Sequence, residues 1–415
     1  MIGLLLASAC AQSLPSEPLP TEPLPAAPAR ASEPPPAPVE EGRLRVVAGG
    51  DVLVHRRLKE TARHRAATDG SDGFDWIFAP IAPLLTAADV AFINLEVPVA
   101  PDSSRGVRGE VFNAPAGVID ALKAAGVDAV SFANNHTFDQ GPAGLMETLT
   151  RLDDAGIVAA GSGPTCAAAQ AAQRIEHDGV VLALLAVTDL MNLNDNTEPD
   201  APCTFTAGPV CEGDCGPDRD AIHYRIDEEK ILGAIAASAE WSDAVIVSFH
   251  WGTEYTTTPL PLYTELAPRL VEAGADLVLG HHPHVLQPIA RHTAADGREG
   301  LILYSLGNLV SDMASSYSLA TSSVRRGNTR DGLLVGVTVV KTRAVDGALT
   351  VRLEDITVTP LWTENNRLEG GPAAVRVVPL AAVEDEPLRA SRLAQVAGVL
   401  GEEWVTGEQR VTGEQ

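Results

Sequence analysis

From residue 43 onward the chain repeats one pattern: a short apolar run, a polar cluster at its end, then a stretch with helical spacing. The runs are Leu44 to Ala48, Val90 to Ile93, Ala129 to Ala133, Val180 to Val187, Ala244 to Phe249, Asp276 to Leu279 and Leu301 to Leu306. Their length and β-branched content predict buried strands. Between them, residues 115–125, 144–155, 227–241 and 262–273 read as helices. Three of these end on a glycine before the next strand, at Gly126, Gly156 and Gly274, where the chain needs a left-handed cap residue. Such alternation predicts right-handed βαβ units, an α/β fold and a mostly parallel core sheet. After residue 312 the helical punctuation stops. Residues 333–342, 349–360 and 375–379 read as an antiparallel extension, a second sheet completing the same domain over 313–384. Residues 385–415 predict a short helix over 386–400 and a flexible tail that repeats Val-Thr-Gly-Glu-Gln.

The first 42 residues break the pattern. Residues 1–12 hold an apolar run, Leu4-Leu5-Leu6-Ala7-Ser8-Ala9, ending at Cys10. It is too short to span a bilayer, which takes about 20 residues, and its end resembles the lipobox of bacterial lipoproteins, with Ala7 where that motif usually has Leu. The expectation is a signal remnant whose Cys10 is lipidated, in an exported, membrane-anchored or extracytoplasmic protein. Because no Lys or Arg precedes the run, the start is expected upstream. Residues 13–42 are a proline-rich linker with ten prolines between 13 and 40, too extended to be core and stiff enough for a spacer.

Composition narrows the partners. A net charge of −25 repels polyanions, so nucleic acid is not an expected partner, and an anionic substrate would need local positive charge, for which a metal ion is a source. Apart from Cys10 there are Cys166, Cys203, Cys211 and Cys215, which in an exported chain predict two disulfides among three possible connectivities. The last three fall in a polar stretch, 192–220, that reads as a pinned surface insertion. Paired CxxC spacings for a cysteine zinc site are absent.

The polar clusters carry the chemistry. In a parallel sheet, ligands bind beyond the carboxyl ends of the strands. There stand Gly49-Gly50-Asp51, Asn94-Leu95-Glu96, Asn134-Asn135-His136, Asp189, His250-Trp251-Gly252-Thr253-Glu254, His281-His282-Pro283-His284 and Asn308. Five of the ten histidines fall in these clusters. Imidazole, carboxylate and amide oxygen together suit zinc, manganese or iron. Two ions about 3.5–4 Å apart need a bridging carboxylate and several outer ligands, and Asp51, Glu96, Asn135, His250, His282 and His284 supply that inventory. If His-His-Pro-His is extended, alternation points His282 and His284 to one side and His281 to the other, toward an outer-shell or substrate role. His55 reads as a surface residue in the first turn of a helix; His64, His177, His223 and His292 read as solvent-exposed.

In this order the motifs resemble the CapA family, the capsule and poly-γ-glutamate synthesis proteins, over about residues 43–312; Tyr255 after Glu254 and Ser305-Leu306-Gly307-Asn308 complete the match. That family is similar to the calcineurin-like metallophosphoesterases, which implies a four-layer α-β-β-α sandwich and a divalent metal centre of two ions. The resemblance implies that Asp51 serves the first metal and Glu96 bridges. Asn135 and His250 would serve the second metal, His282 and His284 would bind one each, and His136 would be the general acid or transition-state stabiliser. Asn94, Asn134, Glu254, Tyr255, His281 and Asn308 would contact substrate or support the ligands. The chain departs from the phosphoesterase pattern in lacking Asp-x-His at the first strand and in using Glu96 where Asp is usual.

The expected function is capsule biosynthesis through a metal-dependent hydrolase acting on capsule polymer or a phosphorylated small substrate. The alternative is a non-catalytic, membrane-tethered accessory or polymer-binding subunit of a capsule-synthesis or export complex. A serine hydrolase is disfavoured because there is no Gly-x-Ser-x-Gly elbow, and neither a Walker loop nor a dinucleotide fingerprint is present.

Overall fold

Leu44, Val46 and Ala48 alternate with Val47 along the first strand, and both sets are buried, so this strand is covered on both faces. In the computed structural model, which describes residues 38–70, 73–193, 196, 198–208 and 226–405, it runs Val39–Val52 and begins four residues before residue 43. Cys10, most of the proline-rich stretch, Cys211, Cys215, His223 and most of the terminal repeat lie outside the described residues.

Two sheets form a mixed α/β fold. The first has the order Val375–Pro379, Leu349–Asn365, Asp331–Arg343, Val39–Val52, Val90–Leu95, Ala129–Ser131 and Val158–Ala160, and Asn308–Val310 also pairs with Val39–Val52. The second has the order Ile289–Thr293, Glu299–Leu303, Leu277–His281, Ala244–His250, Val180–Thr188 and Gln173–His177. The central pairings of the second sheet are parallel and its two edge pairings antiparallel. Val90–Leu95, Ala129–Ser131 and Val158–Ala160 follow Val39–Val52 in parallel.

Three apolar clusters hold these layers. Leu44, Val46 and Phe92 of the first sheet meet Leu182, Leu184, Ile246 and Leu279 of the second. Val47, Ala91 and Ile93 face the other way, onto Leu58, Val118 and Leu122 of the helices Arg56–Asp69 and Gly117–Ala124. Val245 and Val247 turn outward onto Ile231, Ile235, Leu266 and Leu270 of the helices Glu228–Ala239 and Pro261–Glu272. Gly274 has φ +124°, and a Cβ there would lie 2.9 Å from that of Ala239, so the helix-to-strand joint requires glycine.

Three expectations are corrected. The late strands form no separate sheet: Asp331–Arg343 pairs antiparallel along Val39–Val52 and lengthens the first sheet. Residues 203–207, expected as surface, bury Cys203, Phe205 and Ala207 against the second sheet. Cys203 bonds to Cys166. The helix Glu386–Leu400 forms as expected, with Arg392 wholly buried, but the tail is not flexible from its start, because Trp404 beyond the helix is buried too. Among the described residues no helix is long and apolar enough to cross a membrane.

Candidate metal centre

Parallel register aligns the strand ends. Asp51 stands level with Asn94 and with Asn308, and Asn94 with Ser131, in the first sheet; Thr188, His250 and His281 stand level in the second. The backbones approach closely here: a Cβ on Gly50 would lie 2.0 Å from the carbonyl oxygen of Gly307, where the Asp51 N–H donates to that oxygen at 3.0 Å. Glu96 follows its strand by one residue, held by its N–H on the Val52 carbonyl at 3.1 Å.

The side chains converge. Asp51, Glu96 and His250 offer ligand atoms within 4.8 Å of one another, and Glu96, His282 and His284 do the same. All five residues are buried. His250 Nε2 and His284 Nε2 each lie 3.6 Å from Glu96 Oε1. His250 Nε2 is also 3.0 Å from Asn135 Oδ1. Asn94 Nδ2 donates to Asp51 Oδ1 at 2.8 Å, and Asn134 Nδ2 donates to Asn94 Oδ1 at 3.3 Å. Asn308 Oδ1 sits 3.1 Å from His284 Nδ1, and Asn308 Nδ2 donates to the Thr329 carbonyl at 2.9 Å, which fixes the amide.

What is missing tests the fit of a metal. Among the described residues nothing hydrogen-bonds to either oxygen of Glu96, and the buried His281 Nε2 and His282 Nδ1 have no partners. Leaving such groups unsatisfied costs about 1–3 kcal/mol each, more when charged. A cation satisfies several at once, and these buried residues can hold a divalent metal ion. The electrostatics agree. Burial, reinforced by the nearby Asp51 carboxylate, pushes Glu96 well above the usual carboxylate range despite the pull of His284. Burial also raises Asp51, but His281 and His284 outweigh it and hold the group well below its ordinary value. Burial and the charge on His284 push His282 down to about 3; His284 itself rises to about 9, because Glu96 and Asp51 overcome its burial. Because carboxylate and imidazole bind a metal in their deprotonated forms, metal binding at this cluster is coupled to the protons its members carry.

His136 lies apart from that knot, with Nδ1 2.8 Å from Asp139 Oδ2 and its ring 4.6 Å from Phe112. Tyr255 and Glu254 are exposed at the rim; the Tyr255 N–H donates to the Pro283 carbonyl at 2.8 Å, and its ring stands 6.2 Å from that of His284.

The alternation argument fails at His281. The strand ends there, and His282 and His284 take left-handed conformations, φ +92° and +56°, so the loop coils and all three rings enter the cluster. His281 Nδ1 is 3.0 Å from Asp51 Oδ1. His55 is not a first-turn surface residue: it is the N-cap of Arg56–Asp69, half-buried, against Phe112. His292 is half-buried on Glu272 at 2.8 Å, whereas His64 and His177 are exposed. Sequence reasoning missed Asp139, whose signal was an acid three residues after His136.

The match to known proteins follows the same stretch of chain. Residues 45–313 match the family described as bacterial capsule synthesis protein PGA_cap. The capsule biosynthesis protein CapA of Bacillus anthracis is 29% identical over 277 residues, 66% of this chain and 61% of that protein. The PGA biosynthesis protein CapA of Bacillus subtilis (strain 168) is 27% identical over 268 residues, 63% of this chain and 62% of that one. A probable polyglutamine synthesis accessory protein of Mycobacterium tuberculosis is 28% identical over 232 residues, 55% of this chain and 57% of that one. The chain thus spans about three-fifths of the length of these curated relatives. The chain belongs to the bacterial capsule synthesis protein PGA_cap family, the CapA family that its strand-end motifs resemble.

Proposed function

We propose that the chain acts in capsule or poly-γ-glutamate biosynthesis as a metal-dependent hydrolase with a metallophosphoesterase-type site in a four-layer α-β-β-α sandwich. The observation that carries this reading is Glu96, a fully buried carboxyl that no described residue hydrogen-bonds, facing His250 and His284 at equal distances of 3.6 Å. A structural carboxylate is satisfied by its neighbours; one left bare between imidazoles suits a bridging ligand.

In this reading Asp51, Glu96, Asn135, His250, His282 and His284 would hold two ions, Mn, Fe or Zn, with Glu96 shared between them, Asp51 serving the first, Asn135 and His250 the second, and His282 and His284 one each. When bound, such ions supply Lewis-acid stabilisation of a developing oxyanion and acidify water. The chain does the rest. His281 and Asn94 hold Asp51, and Asn308 fixes the ring of His284. Asp139 orients His136 through Nδ1, leaving Nε2 as the atom that passes a proton to the leaving group. Glu254 and Tyr255 line the rim where substrate enters, a capsule polymer or a phosphorylated small molecule. Export, an anchor at Cys10 and assembly in a membrane synthesis complex belong to the same proposal.

Elemental analysis of the full chain, purified without chelator, tests it alongside His282→Ala/His284→Ala. About two equivalents of metal in the parent, lost in the variant, are expected, followed by a phosphodiester and amide substrate screen. No metal bound, and none taken up on titration, sinks the hydrolase and leaves a tethered accessory subunit.

A further inference from the structure

His55 stands beside the centre on a support of its own. The segment that begins at Asn308, whose side chain steadies His284, reaches Asp312 four residues later. Asp312 then does two things. Its Oδ2 accepts the N–H of Arg57 at 3.0 Å, capping the helix Arg56–Asp69, and its own N–H donates to His55 Nδ1 at 3.4 Å. With Nδ1 accepting, the proton of the neutral ring sits on Nε2. Among the described residues nothing accepts from that nitrogen.

The ring is also placed. It meets Phe112 edge-on at 5.2 Å, and the other ring in contact with Phe112 is His136, at 4.6 Å. The Phe112 N–H donates at 2.6 Å to Asp139 Oδ2, the oxygen that also orients His136. His55, Phe112 and His136 therefore form one wall, supported at one end by Asp312 and at the other by Asp139. Burial and the nearby positive charges of His284 and His136 push His55 down to about 4, so it is neutral under working conditions.

We infer that His55 is a substrate-contact residue that donates its Nε2–H to an oxygen of an anionic acid group bound at the metal centre. The inference rests on the metal-centre reading and deepens it by naming the substrate's recognised chemistry, an anionic oxygen beside the group being cleaved. A ring that stays neutral holds that oxygen without protonating it, and the proton donor remains His136. The contact is a neutral donor on a charged acceptor, the stronger class of hydrogen bond.

The test uses the full chain loaded with manganese, with inorganic phosphate as the probe and calorimetry as the readout, for the parent, His55→Ala and His55→Gln. His55→Ala is expected to weaken phosphate binding about 10-fold or more, with manganese equivalents and melting temperature unchanged. His55→Gln keeps an N–H donor and is expected to lose about a third as much. His55→Phe keeps the ring contact with Phe112 and removes the donor, so it separates a lost hydrogen bond from a disturbed wall and should behave like His55→Ala. A parent that takes up manganese but binds phosphate no better than His55→Ala and His55→Phe overturns this inference alone. A parent that takes up no manganese overturns the metal centre and the inference with it.

Discussion

Two of the places where the chain buries charge are built on opposite principles. Around Asp331 the charged groups are paired: Arg392 Nε donates to Asp331 Oδ1 at 3.0 Å, Nη2 donates to Asn328 Oδ1 at 2.9 Å and to Asp331 Oδ2, and Nη1 donates to the Val324 carbonyl at 2.6 Å. Around Glu96 the carboxyl is bare and two imidazole nitrogens nearby have no partner among the described residues. Burial is the same, and Asp331, pushed up to about 6 by desolvation, feels it as Glu96 does. What separates a structural ion pair from a site is the accounting of partners. Cavity size separates them poorly. An open groove of about 1150 Å³ at the far end of the sheets is lined by Asp243, Asp276 and Arg298, yet Asp276 pairs with Arg298 at 3.2 Å and Asp243 with Lys341 at 2.9 Å.

Breaking one member of each cluster sharpens the contrast. Arg392→Met strands a buried carboxylate and is expected to cost about 3–5 kcal/mol of stability, read by denaturant unfolding. Adding Asp331→Leu removes the stranded charge and recovers most of that loss; no recovery would mean that the helix Glu386–Leu400 is held by something else. Glu96→Gln is expected to lower metal affinity about 100-fold or more, beyond what outer-shell partners contribute, while the metal-free protein melts no lower than the parent. A metal-free Glu96→Gln as damaged as Arg392→Met would make Glu96 structural.

The smallest effect concerns Asp189, which lies between these extremes. Its Oδ2 accepts from the Tyr263 hydroxyl, its Oδ1 has no hydrogen-bond partner among the described residues, and burial pushes its carboxyl up to about 7. A folded value above the unfolded one means that the folded state binds the proton more tightly. The stabilisation is therefore complete below the ordinary value of 3.8 and is lost as the pH rises through 7. Asp189→Asn carries no titrating group, so its stability should gain on the parent's between pH 5 and pH 8 by about 2–3 kcal/mol, read as a rise in relative melting temperature. A constant difference across that range would exclude Asp189 as the cause.

How much of this was legible follows from how local each signal is. The strand-end clusters could be read because alternation of strand and helix puts every carboxyl end at one edge, which is where Asp51, Asn94, His250 and His281 line up. The ring direction of His281 was misread because alternation holds only in an extended chain, and the chain leaves the strand at that residue. His55 was not recoverable, since its partner Asp312 is 257 residues away. The pairing of Asp331–Arg343 beside the first strand is equally non-local. The helix Arg56–Asp69 was legible only at its start, where His55 was read in a first turn; its extent did not show because the sequence is crowded with Arg, Lys and His, and Leu58, Thr61 and Ala62 are the residues it buries, too few to show a periodic stripe.

The strand Val39–Val52 has a consequence for handling the molecule. It enters the domain at Val39, paired with Arg343, and delivers Asp51 to the other end, roughly 40 Å away at the usual rise per residue. Immobilising the protein on a sensor chip through residues upstream of Val39 therefore leaves the Glu254–Tyr255 rim turned toward the flowing solution. Immobilising it through a cysteine introduced at that rim would cover the side from which, in the proposed function, substrate enters.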